Sequence, residues 1–147
     1  MLDYIHFLGD IFEMGLIASG QTNIGRKRKT NQDSLYLNLE KKLFVVADGM
    51  GGHNGGDIAS QMAVKLLPEF LLKNISMEPA PLFVAAIKES NNAIKNYSES
   101  NRELVGMGTT VVGLYFRGQN SYIANVGDSR AYLISQQKIF QLTKDHS

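Results

Sequence analysis

The chain has 147 residues, 44% hydrophobic and 20% charged, a balance that fits one globular domain with its own core and excludes a disordered or fibrous chain. Its formal net charge of +1 gives no overall attraction to nucleic acid or to a membrane surface. No cysteine is present, which excludes disulfides and thiolate metal sites and makes a reducing cytoplasm the expected setting.

In chain order, the first nineteen residues say nothing about chemistry. Ile5, Leu8, Ile11 and Phe12 have the spacing of one or two amphipathic turns, but the apolar stretch is too short to span a membrane and lacks the basic start of a signal peptide. The segment GRKRKTNQDSLYL follows, in which Arg28 precedes Asp33 by five residues. Leu35, Leu37 and Leu39 alternate with Tyr36 and Asn38, so a half-buried strand is expected there. A guanidinium can grip phosphate oxygens in a two-pronged fork, and a nearby carboxylate can hold a metal or its water. The run of basic residues from Arg26 to Lys29 also fits a solvated loop or a weak nucleic-acid patch.

Residues 43–60, LFVVADGMGGHNGGDIAS, are the most informative stretch. Leu43 to Ala47 is a continuous apolar run, the pattern of a strand covered on both faces, and Asp48 stands at its end before a loop dense in glycine. A carboxylate delivered by rigid backbone suits a hard cation such as Mg²⁺ or Mn²⁺. Taken alone, an Asp-Gly followed by more glycines is more often a turn than a metal site. A phosphate-binding P-loop is excluded, because no Gly-Lys-Ser/Thr follows.

Two helices are expected next. Ile58, Met62, Ala63, Leu66, Leu67, Phe70 and Leu71 recur at helical spacing, as do Leu82, Phe83, Ala86, Ile87, Ile94 and Tyr97. Each stripe is assigned to core packing and to no cofactor. Pro68 should kink or end the first helix, whereas Pro79 and Pro81 suit the start of the second. The remainder reads as an antiparallel meander: Val111 to Phe116, a turn at 117–120, Ser121 to Val126, a turn at Gly127-Asp128-Ser129, then Ala131 to Ile134 and KIFQLT. The bland role for Asp128 is to bond its own backbone in that turn. Strands and helices in this order argue for an α+β fold with helices on one face of a sheet.

Several of these segments together resemble the bacterial branch of the PPM family, the 2C-type metal-dependent protein serine/threonine phosphatases. The resemblance rests on Arg28 with Asn31-Gln32-Asp33, on Ala47-Asp48-Gly49-Met50-Gly51-Gly52-His53 with Gly56 and Ala59-Ser60, and on Gly108-Thr109-Thr110. It continues through Ala124-Asn125-Val126-Gly127-Asp128-Ser129-Arg130 and ends on Leu142-Thr143 with Asp145-His146-Ser147. Five motifs in order, from about Gly20 to the last residue, divide the chain into an extension at 1–19 and the N-terminal part of a phosphatase domain at 20–147. They also make Met14 a candidate start. The resemblance implies a four-layer α-β-β-α sandwich and two or three divalent cations, Mn²⁺ or Mg²⁺.

In residues, it implies that Asp48 bridges two metals, that the carbonyl of Gly49 completes one coordination sphere, and that Asp33 acts near them through water. Arg28 would bind the substrate phosphate, and Asp128 a third metal. The implied reaction is hydrolysis of phosphoserine and phosphothreonine by a metal-held hydroxide, with no phosphoenzyme. The implied partners are phosphorylated proteins and a serine/threonine kinase that the enzyme opposes in bacterial signalling, with no role for nucleic acid or membrane.

The chain also departs from the family. Gln32 stands where animal members have a metal-binding glutamate, and Met50 where they have a histidine proposed as general acid. His53 is a weak candidate for that role, with a structural hydrogen bond the equal alternative. Two later aspartate motifs of the family have no counterpart in residues 1–147. The chain alone is therefore expected to be inactive, and an apolar sheet face or edge is expected to stay uncovered, with poor solubility or self-association. A phosphoprotein-binding pseudophosphatase is the alternative function, and a nucleic-acid module built on Arg26 to Lys29 a distant third.

Overall fold

Alternation of apolar and polar residues along the strands decides the architecture of the computed structural model, which describes residues 3–8, 15–50 and 55–146. Five antiparallel strands form the main sheet in the order β1-β6-β5-β3-β2, with β1 at Asp3–Leu8, β2 at Asp33–Asn38, β3 at Leu43–Met50, β5 at Val111–Arg117 and β6 at Asn120–Val126. A two-residue strand β4, Gly108–Thr109, pairs with the end of β3. Strands β7, Tyr132–Ser135, and β8, Lys138–Gln141, pair only with each other.

The helices α1, Gly56–Lys73, and α2, Pro79–Glu99, cover one face of the sheet. Leu43, Val45 and Ala47 of β3 point into this core beside Ala59, Ala63, Leu67 and Leu71 of α1 and Leu82, Phe83 and Ala86 of α2. The Phe83 ring meets Tyr115 of β5 edge to face, with centroids 6.3 Å apart. Such a pair adds about 0.5–1.5 kcal/mol beyond its burial.

The α+β arrangement with helices on a sheet face is as expected, but four local expectations are corrected. Helix α1 does not end at Pro68 but runs on to Lys73, because Leu67, Pro68 and Leu71 are all buried and their packing outweighs the missing backbone bond. Strand β3 is covered on one face only. Its other residues, Phe44, Val46, Asp48 and Met50, alternate outward, and Val46 and Met50 are 46% and 60% exposed. The meander stops at β6, since β7 turns away into a separate ribbon closed by Gln136 and Gln137, both at positive φ. Residues 3–8 form a strand against β6 in place of the expected amphipathic turns; Ile11, Phe12 and Met14 lie outside the described residues.

The open sheet face carries Leu35 and Leu37 of β2 opposite Val46 and Phe44, and then Val112, Leu114 and Phe116 of β5. The coil through Gly20 lies against Leu35 and Leu37 at one side of this face. Among the described residues the protein thus has one helix pair on one main sheet plus a small ribbon, and the full four-layer sandwich is not formed. On that face Leu37 and Val46 are exposed, at 38% and 46%, whereas Val112 is buried.

Candidate functional site

Register brings the first two acids together. Asp33 opens β2 directly opposite Asp48 of β3, so both carboxylates project from the same, open face at the same end of the sheet. Directly opposed residues in an antiparallel pair hold their Cβ atoms about 4.5–5.5 Å apart, and like charges there repel. The Asp48 carboxyl is accordingly held above its ordinary range, first by loss of solvent, then by the charge of Asp33 and a hydrogen bond with it. The guanidinium of Arg28 pulls the other way, and the charge of Asp128 adds to the rise. Residues 28, 33, 48 and 128, far apart in sequence, therefore share one electrostatic neighbourhood.

The backbone around Asp48 is clamped. Its N–H donates to Oγ1 of Thr110 at 3.1 Å, while its carbonyl accepts from the Thr110 N–H at 2.9 Å and from Oγ1 of Thr109 at 3.0 Å. These bonds explain why β3 runs on through Asp48 to Met50 instead of ending before the acid: β2 pairs one side and β4 the other. Gly49 donates its N–H to the Gln32 carbonyl at 3.0 Å. A Cβ at Gly49 would collide with the carbonyl of Gly56, so only glycine lets the start of α1 come this close to the acid-bearing strand.

Arg28 is exposed and donates from Nη1 to Oε1 of Gln32 at 3.5 Å, while the rest of Gln32 is buried against Gly56. The neutral residue at 32 thus serves as an anchor for the arginine.

Asp128 is positioned from two directions. Oγ1 of Thr110 and Oγ of its neighbour Ser129 are 2.7 Å apart, which ties the turn to the clamp on Asp48. On the other side Gly127, at φ +96°, donates its N–H to Nδ1 of His146 at 3.3 Å and accepts from the His146 N–H at 3.0 Å. Asn125, fully buried, donates to the carbonyls of both Gly127 and Lys144. Arg130 grips Asp145 with Nε and Nη2, at 2.9 Å and 2.6 Å, and this fork lowers the Asp145 carboxyl below the usual range. Lys144, Asp145 and His146 thus buttress the turn that carries Asp128.

Thr109, Thr110, Ser129 and Asn125 had no assigned task in the sequence, although all four stood within visible motifs. The positioning bonds run across 61 and 62 residues of chain, which no local pattern reveals. His53, the weak candidate for a general acid, lies outside the described residues together with Gly51 and Gly52.

The donors suit a hard divalent cation in kind, since the acids supply oxygen and their mutual repulsion would be relieved by positive charge. They fall short in number: among the described residues no three His, Cys, Asp or Glu side chains converge closely enough to hold a metal. Asp33, Asp48 and the Gly49 carbonyl are the oxygen donors the chain offers at this end of the sheet, with the charge of Asp128 felt at Asp48.

This α+β sheet, with paired acids at one end and an arginine in their electrostatic neighbourhood, has counterparts among known proteins. Residues 20–147 match the model of the Protein phosphatase 2C family, and the chain belongs to that family. It is 42% identical over 137 residues to the serine/threonine phosphatase stp of Listeria innocua, covering 88% of this chain and 54% of that protein. It is 34% identical over 127 residues to the serine/threonine protein phosphatase PstP of Mycobacterium tuberculosis, covering 86% of this chain and 24% of that protein.

Among solved structures, it is similar to serine/threonine phosphatase Stp1 from Staphylococcus aureus with a TM-score of 0.74, 35% identity and coverage of 100% of this chain and 55% of that one. The catalytic domain of PstP in complex with two manganese ions gives a TM-score of 0.77 at 31% identity, covering 98% and 56%. The chain spans about half the length of relatives such as stp.

Proposed function

We propose that the protein carrying this chain is a metal-dependent phosphatase acting on phosphoserine and phosphothreonine of other proteins, and that Asp33, Asp48, Gly49, Asp128 and Arg28 are its contribution to the active site. The observation that carries the reading is Asp33 directly opposite Asp48 across β2 and β3, with the charges of Arg28 and Asp128 felt at Asp48 and the Asp48 backbone locked by Thr109 and Thr110. Bound Mn²⁺ or Mg²⁺ would supply a water of lowered pKa and neutralise phosphate charge.

The chain's own residues do the rest. Arg28, steered by Gln32, presents its fork to the phosphate oxygens. Asp48 and Asp33 concentrate negative charge where the cations are to sit, and the clamp keeps the Asp48 backbone from yielding to that charge. The partners implied are phosphorylated proteins and the kinase that modifies them.

A second reading has its own support. A pseudophosphatase that binds phosphoproteins without turnover would need Arg28 but no complete metal site, and the described residues hold no cluster of three ligands.

One set of assays separates the two. In a protein spanning the full length of the relatives, Asp48→Asn abolishes Mn²⁺-dependent phosphate release from a phosphothreonine peptide, and Arg28→Ala chiefly raises KM. Undiminished turnover in the Asp48 variant overturns the assignment. Phosphopeptide binding without turnover at every metal concentration establishes the second reading.

A further inference from the structure

The loop that carries Arg28 also carries three cations that the fold itself does not use. Arg26, Lys27, Arg28 and Lys29 are four of the 15 basic residues in consecutive positions, in a chain whose net charge is only +1. All four are exposed. Among the described residues Arg26, Lys27 and Lys29 have neither a side-chain hydrogen bond nor a carboxylate partner, the ion pairs there joining Lys41 to Glu40, Lys95 to Glu99 and Arg130 to Asp145. Arg28 is tethered by the Gln32 amide, which is neutral and leaves its charge uncancelled. The loop has a defined shape. Gly25, at φ +71°, donates its N–H to Oδ1 of Asn23 at 2.8 Å. Asn31 closes the loop, with Nδ2 donating to Oγ1 of Thr22 at 2.9 Å and Oδ1 accepting the N–H of Asp33, the first residue of β2, at 3.1 Å. Between Gly20 and Leu35 there is no aromatic side chain, so a nucleic-acid base would find nothing to stack on.

We propose that Arg26, Lys27 and Lys29 form a specificity subsite that selects phosphopeptides with acidic side chains next to the phosphorylated residue. The subsite rests on the phosphatase reading, which puts the substrate phosphate on Arg28. Successive Cα atoms lie about 3.8 Å apart, so Lys27 and Lys29 sit that far from Arg28, and Arg26 no farther than about 7.6 Å. Their flexible stems can bring all three charges within the screening length, about 8 Å at physiological salt, of an anion held by Arg28. A phosphate on a protein arrives with polypeptide on either side of it, and acids there meet these cations while the phosphate meets Arg28. A basic or neutral flank gains nothing from them. An exposed ion pair of this kind strengthens binding about 1.4–5-fold, so three together give a preference on the order of tenfold.

The test compares two phosphothreonine peptides that differ only in carrying Glu or Gln on both sides of the phosphorylated residue. In a protein spanning the full length of the relatives, with Mn²⁺ and at low salt, kcat/KM for the Glu peptide exceeds that for the Gln peptide on the order of tenfold, the difference lying in KM. Salt of about 1 M, where the screening length is about 3 Å, closes the gap without any substitution. The triple variant Arg26→Gln, Lys27→Gln, Lys29→Gln, which keeps Arg28, brings the ratio of the two peptides close to one, a change that a merely structural role for the loop would not produce. A ratio near one in the wild type, or a ratio unchanged in the variant, overturns the subsite. If neither peptide is turned over at any Mn²⁺ concentration, the phosphatase reading fails and the subsite is decided by fluorescence anisotropy of the same two peptides, labelled, on the same two proteins. There the same preference and its loss in the variant support it, and equal binding of both peptides overturns it. A single-stranded oligonucleotide that binds the wild type as tightly as the Glu peptide overturns it in favour of a nucleic-acid patch.

Discussion

Asp48 is placed where its charge costs the fold, so removing that charge is expected to stabilise the protein. Asp33 and Asp48 face each other across β2 and β3, and the Asp48 carboxyl is held above its ordinary value of 3.8. A carboxyl raised in the folded state binds its proton more tightly there than in the unfolded chain. Stability therefore falls as pH rises from 3.8 through the folded value, and the full penalty stands at neutral pH. Asp48→Asn removes the penalty, and the new amide can donate to Asp33 in place of the shared proton. A like-charge pair across strands costs about 0.2–1 kcal/mol, and the exposure of Asp48 to water keeps this one within that range. For a chain of this size about 1 kcal/mol corresponds to about 2–4 °C in Tm. In chelator-treated buffer, thermal melts followed by circular dichroism should place the variant about 1–3 °C above the wild type at pH 7, with the gap closing as pH is lowered toward 3. A variant no more stable at pH 7, or a gap that persists in acid, would refute the account of the pair.

Other perturbations probe the supports. Thr110→Val removes the acceptor of the Asp48 N–H and the partner of Ser129, and should cost about 1–3 kcal/mol in urea unfolding. Thr109→Val leaves the Asp48 carbonyl its bond from the Thr110 N–H, and should cost only about 0.5–1.5 kcal/mol; the reverse order would show that the clamp is misassigned. Phe83→Ala, at a side chain 2% exposed, should cost about 3–5 kcal/mol, and a loss under about 1 kcal/mol would mean the helix pair is not packed as described.

Much of the candidate site was legible because its residues mark themselves locally. An apolar run that ends in Asp-Gly identifies Asp48 and Gly49, and an arginine five residues before Asp33 stands out ahead of an alternating strand. The partnership between them was not legible, since it depends on a register in which residue 33 meets residue 48 and residue 109 meets residue 49. The Gly108-Thr109-Thr110 motif could be seen, but its task could not, because its bonds reach back to Asp48 across the helix pair. Pro68 misled for a related reason: a proline argues from its own backbone, and the burial that overrides it comes from elsewhere. The apolar run of β3 pointed to cover on both faces, yet only the helix side is covered, so Val46 and Met50 stand open. The ribbon of β7 and β8 was hidden because its turn uses Gln136 and Gln137 in the left-handed region, where asparagine and glycine are the usual signals.

The central claim is that the acids at the ends of β2 and β3 and in the turn after β6 form one site for divalent cations. Titration of Mn²⁺ into a protein spanning the full length of the relatives, followed by the loss of the free-ion electron paramagnetic resonance signal, tests it most directly. The account predicts saturable binding that Asp48→Asn abolishes and Asp33→Asn or Asp128→Asn weakens. Mn²⁺ binding of undiminished strength in the Asp48 variant would contradict it.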